Sequence, residues 1–153
     1  MTRNLEFAVR FGLIVALAGF GARTSHAHHA FAAEFDADAP VLLRGKVTRV
    51  EWINPHAWVH LDAVAEDGTT QAWMVEGGTP NTLLRAGINK HSLVIGTEIV
   101  VRGYQSKDHA CAPACKANGR DVTFPDGRKI FMGSSGTGAP RDGADPHEPP
   151  RTQ

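Results

Sequence analysis

The segment that begins at Val41 constrains the fold most, because it has the alternation of a β-strand and then changes phase. Apolar residues and one glycine occupy every second position at Val41, Leu43, Gly45 and Val47. Val50 and Trp52 then continue the strand on the other parity. A glycine inside a strand, followed by a phase shift, is typical of a β-bulge or a sharp bend. We therefore expect a long bent first strand that ends at Asn54-Pro55, since proline removes a ladder donor.

Further strands follow this one at short intervals. Alternation or β-forming composition predicts strands over 57–65, 70–76 and 98–104, and a closing hairpin over 121–132 with a Pro-Asp-Gly turn. A loop of about 15 residues precedes that hairpin and contains both cysteines. Thr79 and Pro80 predict the start of a short helix that stops at Gly87.

This order of elements predicts a mainly β fold. We expect a small five-stranded barrel like the OB-fold, with one short helix between strands 3 and 4; an open β-sandwich with the helix capping one end is the alternative. The β domain is expected over 41–132, after an extended lead-in at 28–40 in which Phe31 and Phe35 permit a short helical turn. Residues 133–153 are rich in Gly, Pro, Ser and charge, which predicts a disordered tail.

The N-terminus has the pattern of a secretory signal peptide. Arg3 and Arg10 precede an apolar run at 11–20, which is too short to cross a bilayer, and small residues follow at Ser25 and Ala27. We expect cleavage after Ala27, so that residues 1–27 are removed and the mature protein is periplasmic or secreted, with no membrane span. Cleavage after Ala18 and an uncleaved N-terminal anchor are the alternatives.

Charge and cysteine content narrow the classes of function. The chain has 16 basic and 16 acidic residues, so no positive surplus supports binding to nucleic acid. Cys111 and Cys115 are expected to form a disulfide in an oxidising compartment. The alternative is a soft metal site that includes His109. The spacing of the pair matches neither a C-x-x-C redox motif nor a haem attachment site.

The chain resembles one bacterial family of exported proteins, numbered 6152 among domains of unknown function. The resemblance covers about residues 28–132, and its cysteine loop departs from the family pattern. It rests on the start His28-His29-Ala30-Phe31, the run Val50-Glu51-Trp52-Ile53-Asn54-Pro55-His56, the Asp67-Gly68 turn, the Trp73 to Glu76 strand, the Pro80-Asn81 helix with Leu84-Arg85-Ala86-Gly87, the Ser92-Leu93 to Gly96 turn and the closing Phe124-Pro125-Asp126-Gly127-Arg128. No activity is established for the family. The resemblance therefore implies where the protein is located and how it folds, but not its mechanism.

The mature N-terminus is a candidate metal site. After cleavage at Ala27, the α-amine and imidazole of His28 can chelate one ion, and a third nitrogen would complete a tetragonal site that favours Cu(II). His56 is the preferred third ligand and His60 the alternative, because residues four apart on a strand lie too far from each other to share an ion. Adjacent His29 is a further candidate. In the competing interpretation these histidines bind no metal. His28 and His29 then form a solvated terminus, His56 hydrogen-bonds to the backbone of its turn, and His60 lies on an exposed strand face.

Other side chains near these histidines have several possible uses. Glu51 and Glu76 are interpreted as supporting or surface groups. Trp52, Trp58 and Trp73 are expected to pack in the core or barrel wall, with a ligand-stacking face as the alternative.

No catalytic signature is present in the sequence, and we name no catalytic residue. We expect a periplasmic binding protein with copper as the hypothetical cofactor and no other cofactor. The alternatives are a metal-free module that binds a small ligand or a periplasmic protein, and a copper-dependent oxidase.

Overall fold

A computed structural model describes residues 30–65 and 67–133. The expected signal peptide, its cleavage site, His28, His29 and residues 134–153 of the expected tail lie outside the described residues. The elements, in chain order, are α1 (Ala30–Glu34), β1 (Phe35–Glu51), β2 (Trp58–Val64), β3 (Thr70–Glu76), α2 (Pro80–Arg85), β4 (Glu98–Ser106), β5 (Cys115–Thr123) and β6 (Lys129–Phe131). Among the described residues, no helix is long and apolar enough to cross a membrane.

Strand β1 is long and serves two neighbours. Its first part pairs with β4 and its last part pairs with β2, both antiparallel, and Gly45 pairs in both ladders. A Cβ at Gly45 would lie 2.1 Å from the Asp62 carbonyl oxygen, so only glycine permits this close approach of the backbones. The register with β2 shifts between Val47 and Arg49, which confirms the irregularity predicted from the change of phase.

The strands form one sheet in the order β3-β2-β1-β4-β5-β6, and β3 also pairs with β5 in parallel. The other pairings are antiparallel. The mainly β fold is therefore confirmed. The closing hairpin predicted over 121–132 is confirmed by the pairing of β5 with β6, and it brings the sheet to six strands rather than the expected five.

Strand β5 begins earlier than the sequence predicts. The predicted loop extends through 115–120, whereas the structure has a strand there. In the fold it lies between two strands, with β4 on one side and β3 on the other. The backbone hydrogen bonds of both ladders stabilise it there regardless of its weak β-propensity.

Helix α2 begins and ends at the residues that the sequence predicts. Thr79 Oγ1 accepts a hydrogen bond of 3.1 Å from the amide of Thr82, and Pro80 occupies the first turn. The chain leaves the helix through Gly87, whose φ of +89° is in the left-handed region.

The expected lead-in contains regular structure. Residues 30–34 form α1, and β1 already starts at Phe35. Phe31 stacks on Phe35 with ring centroids 5.8 Å apart and meets Tyr104 edge-on at 5.4 Å. These three buried rings form a small cluster that attaches α1 to β4. The main core is separate from it and includes Val47, Leu61, Val75, Ile99, Val101 and Val122.

Candidate functional site

A cleft of about 140 Å³ lies between α1, the start of β1 and the strands β2, β3 and β5. Its floor is one row of paired residues: Trp58 on β2 pairs with Glu76 on β3, and Glu76 pairs with Asn118 on β5. The remaining walls are Phe31, Glu34, Phe35 and His56. The sheet therefore brings polar groups from distant parts of the chain to one concave surface.

His56 enters the cleft from the loop that joins β1 to β2. Backbone hydrogen bonds between Ala57 and Gly77 (2.8 Å), and between Ala57 and Gly78 (3.0 Å), hold this loop against the end of β3. The imidazole Nδ1 of His56 consequently contacts Oε1 of Glu76. Within the described residues, Nε2 of His56 makes no hydrogen bond, so this nitrogen is the one available to a ligand.

Glu76 is a buried carboxyl group, with 5% of its surface exposed. Burial first, and then the nearby charge of Glu34, raise the pKa of Glu76 from 4.5 to about 7 against the opposing charge of Lys116. Glu76 thus keeps its proton to a higher pH than an exposed glutamate does.

Asn118 is the second buried polar group of the floor, with 2% of its surface exposed. Its Oδ1 has no hydrogen-bond partner among the described residues. Buried side-chain acceptors in folded proteins are nearly always paired, so this atom is an exception, and it is enclosed by protein rather than exposed to the cleft.

Lys116 covers the rim of the cleft. Its ammonium lies 5.1 Å from the centroid of the Trp58 ring and 5.9 Å from that of Phe35, and it forms an ion pair with Glu34 of α1. These contacts connect β5 to α1 across the opening. The position between the two rings is therefore occupied by the Lys116 cation.

His60 lies in a different environment from His56. Its Nε2 is 2.8 Å from Oε1 of Glu51 and 3.0 Å from Nη2 of Arg49, and Arg49 also pairs with Glu51 at 2.6 Å. This nitrogen is occupied by a side-chain network on β1 and β2. The structure places Glu51 with His60, and Glu76 with His56.

The described part of the chain contains no group of three His, Cys, Asp or Glu side chains arranged to hold a metal ion. A metal at His56 would therefore need ligands from elsewhere, and the predicted ligands His28 and His29 lie outside the described residues.

The two cysteines form the predicted disulfide, Cys111–Cys115. Both sulfurs are bonded to each other, so the alternative metal site of these thiols with His109 is not formed. Cys115 is the first residue of β5, and the disulfide therefore lies one residue before Lys116 and three before Asn118.

The three tryptophans have different uses. Trp52 and Trp73 are half-buried and pack against the main core, as expected. Trp58 instead lines the cleft.

Sequence reasoning missed Asn118, Lys116 and Glu34. The first two lie in the segment predicted as loop, so the prediction assigns neither side chain to a face of the sheet. Only the pairing of β5 with β3 places Asn118 beside Glu76.

A family model matches residues 16–113 of the chain, and it describes a family of unknown function, DUF6152. The chain belongs to this family. The match ends before β5, so the DUF6152 region includes His56, Trp58 and Glu76 but not Lys116 or Asn118. No curated protein and no solved structure matches the chain significantly.

Proposed function

We propose that this DUF6152 protein is an exported binding protein that holds a copper ion at the cleft. The ligands are the α-amine and imidazole of His28 at the mature N-terminus, and Nε2 of His56. The observation that carries the proposal is the contact between His56 Nδ1 and the buried carboxyl group of Glu76.

The contact with Glu76 supports a ligand role for His56. Metal-binding histidines usually donate their second ring N–H to a carboxylate or a carbonyl, which orients the ring and makes the metal-binding nitrogen more basic. Here Glu76 is the acceptor, and Nε2 is the ligating nitrogen. His60 lacks this arrangement because its Nε2 already faces Glu51 and Arg49.

The position of α1 also supports the proposal. Phe31 lines the same cleft as His56, and His28 precedes Phe31 by three residues. Three residues of extended chain span roughly 10 Å, so the ligands at the N-terminus are within reach of the cleft.

Export is part of the proposal. The N-terminal signal pattern supports it, and the Cys111–Cys115 disulfide is consistent with an oxidising compartment. Cleavage after Ala27 is required, because only then does His28 carry a free α-amine.

We also propose that the sheet is a five-stranded barrel of the OB type, extended by β6. The parallel pair β3–β5 supports this interpretation, since it joins the two ends of the order β3-β2-β1-β4-β5. The short helix between β3 and β4 supports it as well.

The copper proposal is tested on protein exported from cells, so that the natural peptidase makes the N-terminus. The terminus is sequenced, Cu(II) is titrated, and the electron paramagnetic resonance spectrum is recorded. We expect stoichiometric binding with a nitrogen-rich tetragonal spectrum. His56→Ala should weaken binding at least tenfold, whereas the matched variant His60→Ala should not change it.

Two results would contradict this function. One is a mature terminus at Gly19, which would place both histidines inside the chain. The other is equal copper binding by a form with one additional N-terminal alanine, since that form has no α-amine on His28.

A second candidate function is the binding of a small organic ligand in the same cleft without metal. The cleft itself favours it, because His56, Trp58 and Glu76 line a volume of about 140 Å³, which is room for a small molecule. Titration of metal-free protein with small molecules, followed by amide chemical shifts, tests this candidate.

A further inference from the structure

A cluster of charged side chains lies on the outer face of strands β4, β5 and β6. Val101 packs in the main core, so its neighbour Arg102 points to the opposite face of the sheet. Nε of Arg102 donates to Oδ1 of Asp121 at 3.2 Å. Oδ2 of the same carboxylate lies 3.6 Å from Nζ of Lys129 on β6 and 3.9 Å from Nε of Arg120 on β5. Three cations thus converge on one carboxylate.

The cluster has an excess of positive charge at positions that are largely removed from water. Arg120 and Asp121 have 8% and 5% of their surfaces exposed, and 13% of the Arg102 side chain is exposed. In these ion pairs the cations outnumber the carboxylate. Charges at such positions are screened less than charges on an open surface, so the excess attracts further carboxylates strongly.

The described part of the chain stops beside this cluster. After β6, the amide of Met132 donates to the Arg120 carbonyl at 3.0 Å, and the Met132 carbonyl accepts a hydrogen bond of 2.7 Å from the amide of Gly78. A Cβ at Gly133 would lie 3.0 Å from the Gly119 carbonyl oxygen. The chain therefore continues from a point next to the cations of β5.

The segment that follows has the complementary charge. Residues 142–148 contain three acids, Asp142, Asp145 and Glu148, and no lysine or arginine. Asp142 comes nine residues after Gly133, and a stretch of that length spans up to about 30 Å when extended. The acids are therefore within reach of the cluster, and their attachment to the same chain gives them an effective concentration on the order of millimolar.

We propose that residues 142–148 dock on the outer face of β4, β5 and β6, where their carboxylates pair with Arg102, Arg120 and Lys129. The polar composition of residues 133–153 prevents this tail from forming a core of its own, but charge-assisted hydrogen bonds can hold a polar segment against a folded domain. The proposal is independent of both functions proposed for the cleft, since these three cations are not among the residues that line it.

The first test is zero-length cross-linking of mature, full-length protein with a carbodiimide, followed by peptide mass spectrometry. This reagent joins an amine to a carboxylate in direct contact with it, and the ion pair of Lys116 with Glu34 supplies the positive control. We expect a link between Lys129 and one acid of residues 142–148. A mixture of unlabelled and isotope-labelled protein distinguishes links within one chain from links between two copies, and links only between copies would overturn the proposal.

The second test removes the negative charges of the segment, and backbone amide chemical shifts report the result. The acid-free variant combines Asp142→Asn, Asp145→Asn and Glu148→Gln. The matched control removes two arginines of the same tail, by Arg141→Gln and Arg151→Gln. The acid-free variant should shift the amide resonances around Arg102 and Arg120, whereas the control should not move them towards the acid-free positions. An increase in salt from about 0.05 M to about 0.5 M should move the natural protein towards those positions, because screening weakens ion pairs.

Two results of the second test would overturn the proposal. One is an acid-free variant whose amide resonances in β4, β5 and β6 are the same as those of the natural protein. The other is a titration with inorganic phosphate that shifts the amides around Arg102 and Arg120 equally in both proteins, since the cluster would then be open to a free anion in both. All substitutions lie beyond residue 133, so the described strands keep their sequence in every variant.

Discussion

Glu76 combines two properties that conflict in a folded protein: it is ionisable and it is buried. Its contact with His56 stabilises the pair, while burial and the charge of Glu34 raise the pKa of the carboxyl group to about 7. Folding therefore favours the protonated form of Glu76 relative to the unfolded chain.

This preference predicts a loss of stability as the pH rises. Between pH 4.5 and about 7 the folded protein holds the proton of Glu76 more tightly than the unfolded chain does. The stabilising contribution of Glu76 to the free energy of unfolding is fully present below pH 4.5 and is lost as the pH rises through about 7. In urea denaturation of metal-free protein, Glu76→Gln should gain stability relative to the natural protein on going from acidic to neutral pH. A pH-independent difference between the two proteins would contradict this prediction.

The side chains of the cleft differ in how visible they are in the sequence. His56 stands out because it follows Asn54-Pro55, a step that ends a strand. Glu76 lies at the end of an alternating strand, where the sequence predicts only a supporting or surface group. Asn118 has no local signal, since its importance depends on what β3 places opposite it.

Helix α1 is too short to be stable on its own, because isolated helices of fewer than about 12 residues are marginal in water. Its contacts with the sheet hold it in place. Phe31 packs on Phe35 and Tyr104, Lys107 donates to the Ala32 carbonyl at 2.5 Å, and Lys116 pairs with Glu34. The position of this helix, and so of one wall of the cleft, depends on tertiary contacts.

Removal of the Lys116 side chain should therefore loosen α1. Lys116→Ala eliminates the ion pair with Glu34 and the cation–π contacts with Phe35 and Trp58. We expect faster hydrogen exchange at the amides of residues 31–35 and a loss of about 1 kcal/mol in the free energy of unfolding.

Exposed Lys90 supplies the matched control, since Lys90→Ala should leave both measurements unchanged. Exchange at 31–35 that is the same in Lys116→Ala and in the natural protein would show that the aromatic contacts alone hold α1.

The stability of the whole fold depends on the pairing of β3 with β5. This pair connects the meander β1–β2–β3 to the strands that come after α2. Val75 lies in this pair, opposite Ala117, and both are fully buried. The main core includes residues from β1 to β5, so these strands should unfold together.

A cavity at the β3–β5 pair should consequently destabilise the whole fold. We expect Val75→Ala to lower the free energy of unfolding by about 2 kcal/mol. The unfolding transitions followed by circular dichroism and by tryptophan fluorescence should move together, to the same new midpoint. Val64→Ala, at a position that is 56% exposed, should have little effect. Separate transitions for the two probes would indicate that β3 and β5 belong to independently unfolding parts.

The sequence by itself determined the local features of this protein. Alternation identified β1 to β4, because a half-buried strand has a period of two, and the glycine with the change of phase identified the irregularity in β1. The residues Thr79, Pro80 and Gly87 identified α2 through its caps. The disulfide was identified because the two cysteines are close in the chain and the protein is expected in an oxidising compartment.

Only the tertiary structure decided where β5 begins and what the cleft contains. The polar segment that starts at Cys115 becomes a strand because β3 and β4 offer it hydrogen bonds on both sides. That pairing brings Asn118 to Glu76 and Lys116 to Glu34, across 42 and 82 positions of the chain respectively. Such neighbours arise from long-range pairing of strands, and no local pattern of residues encodes them.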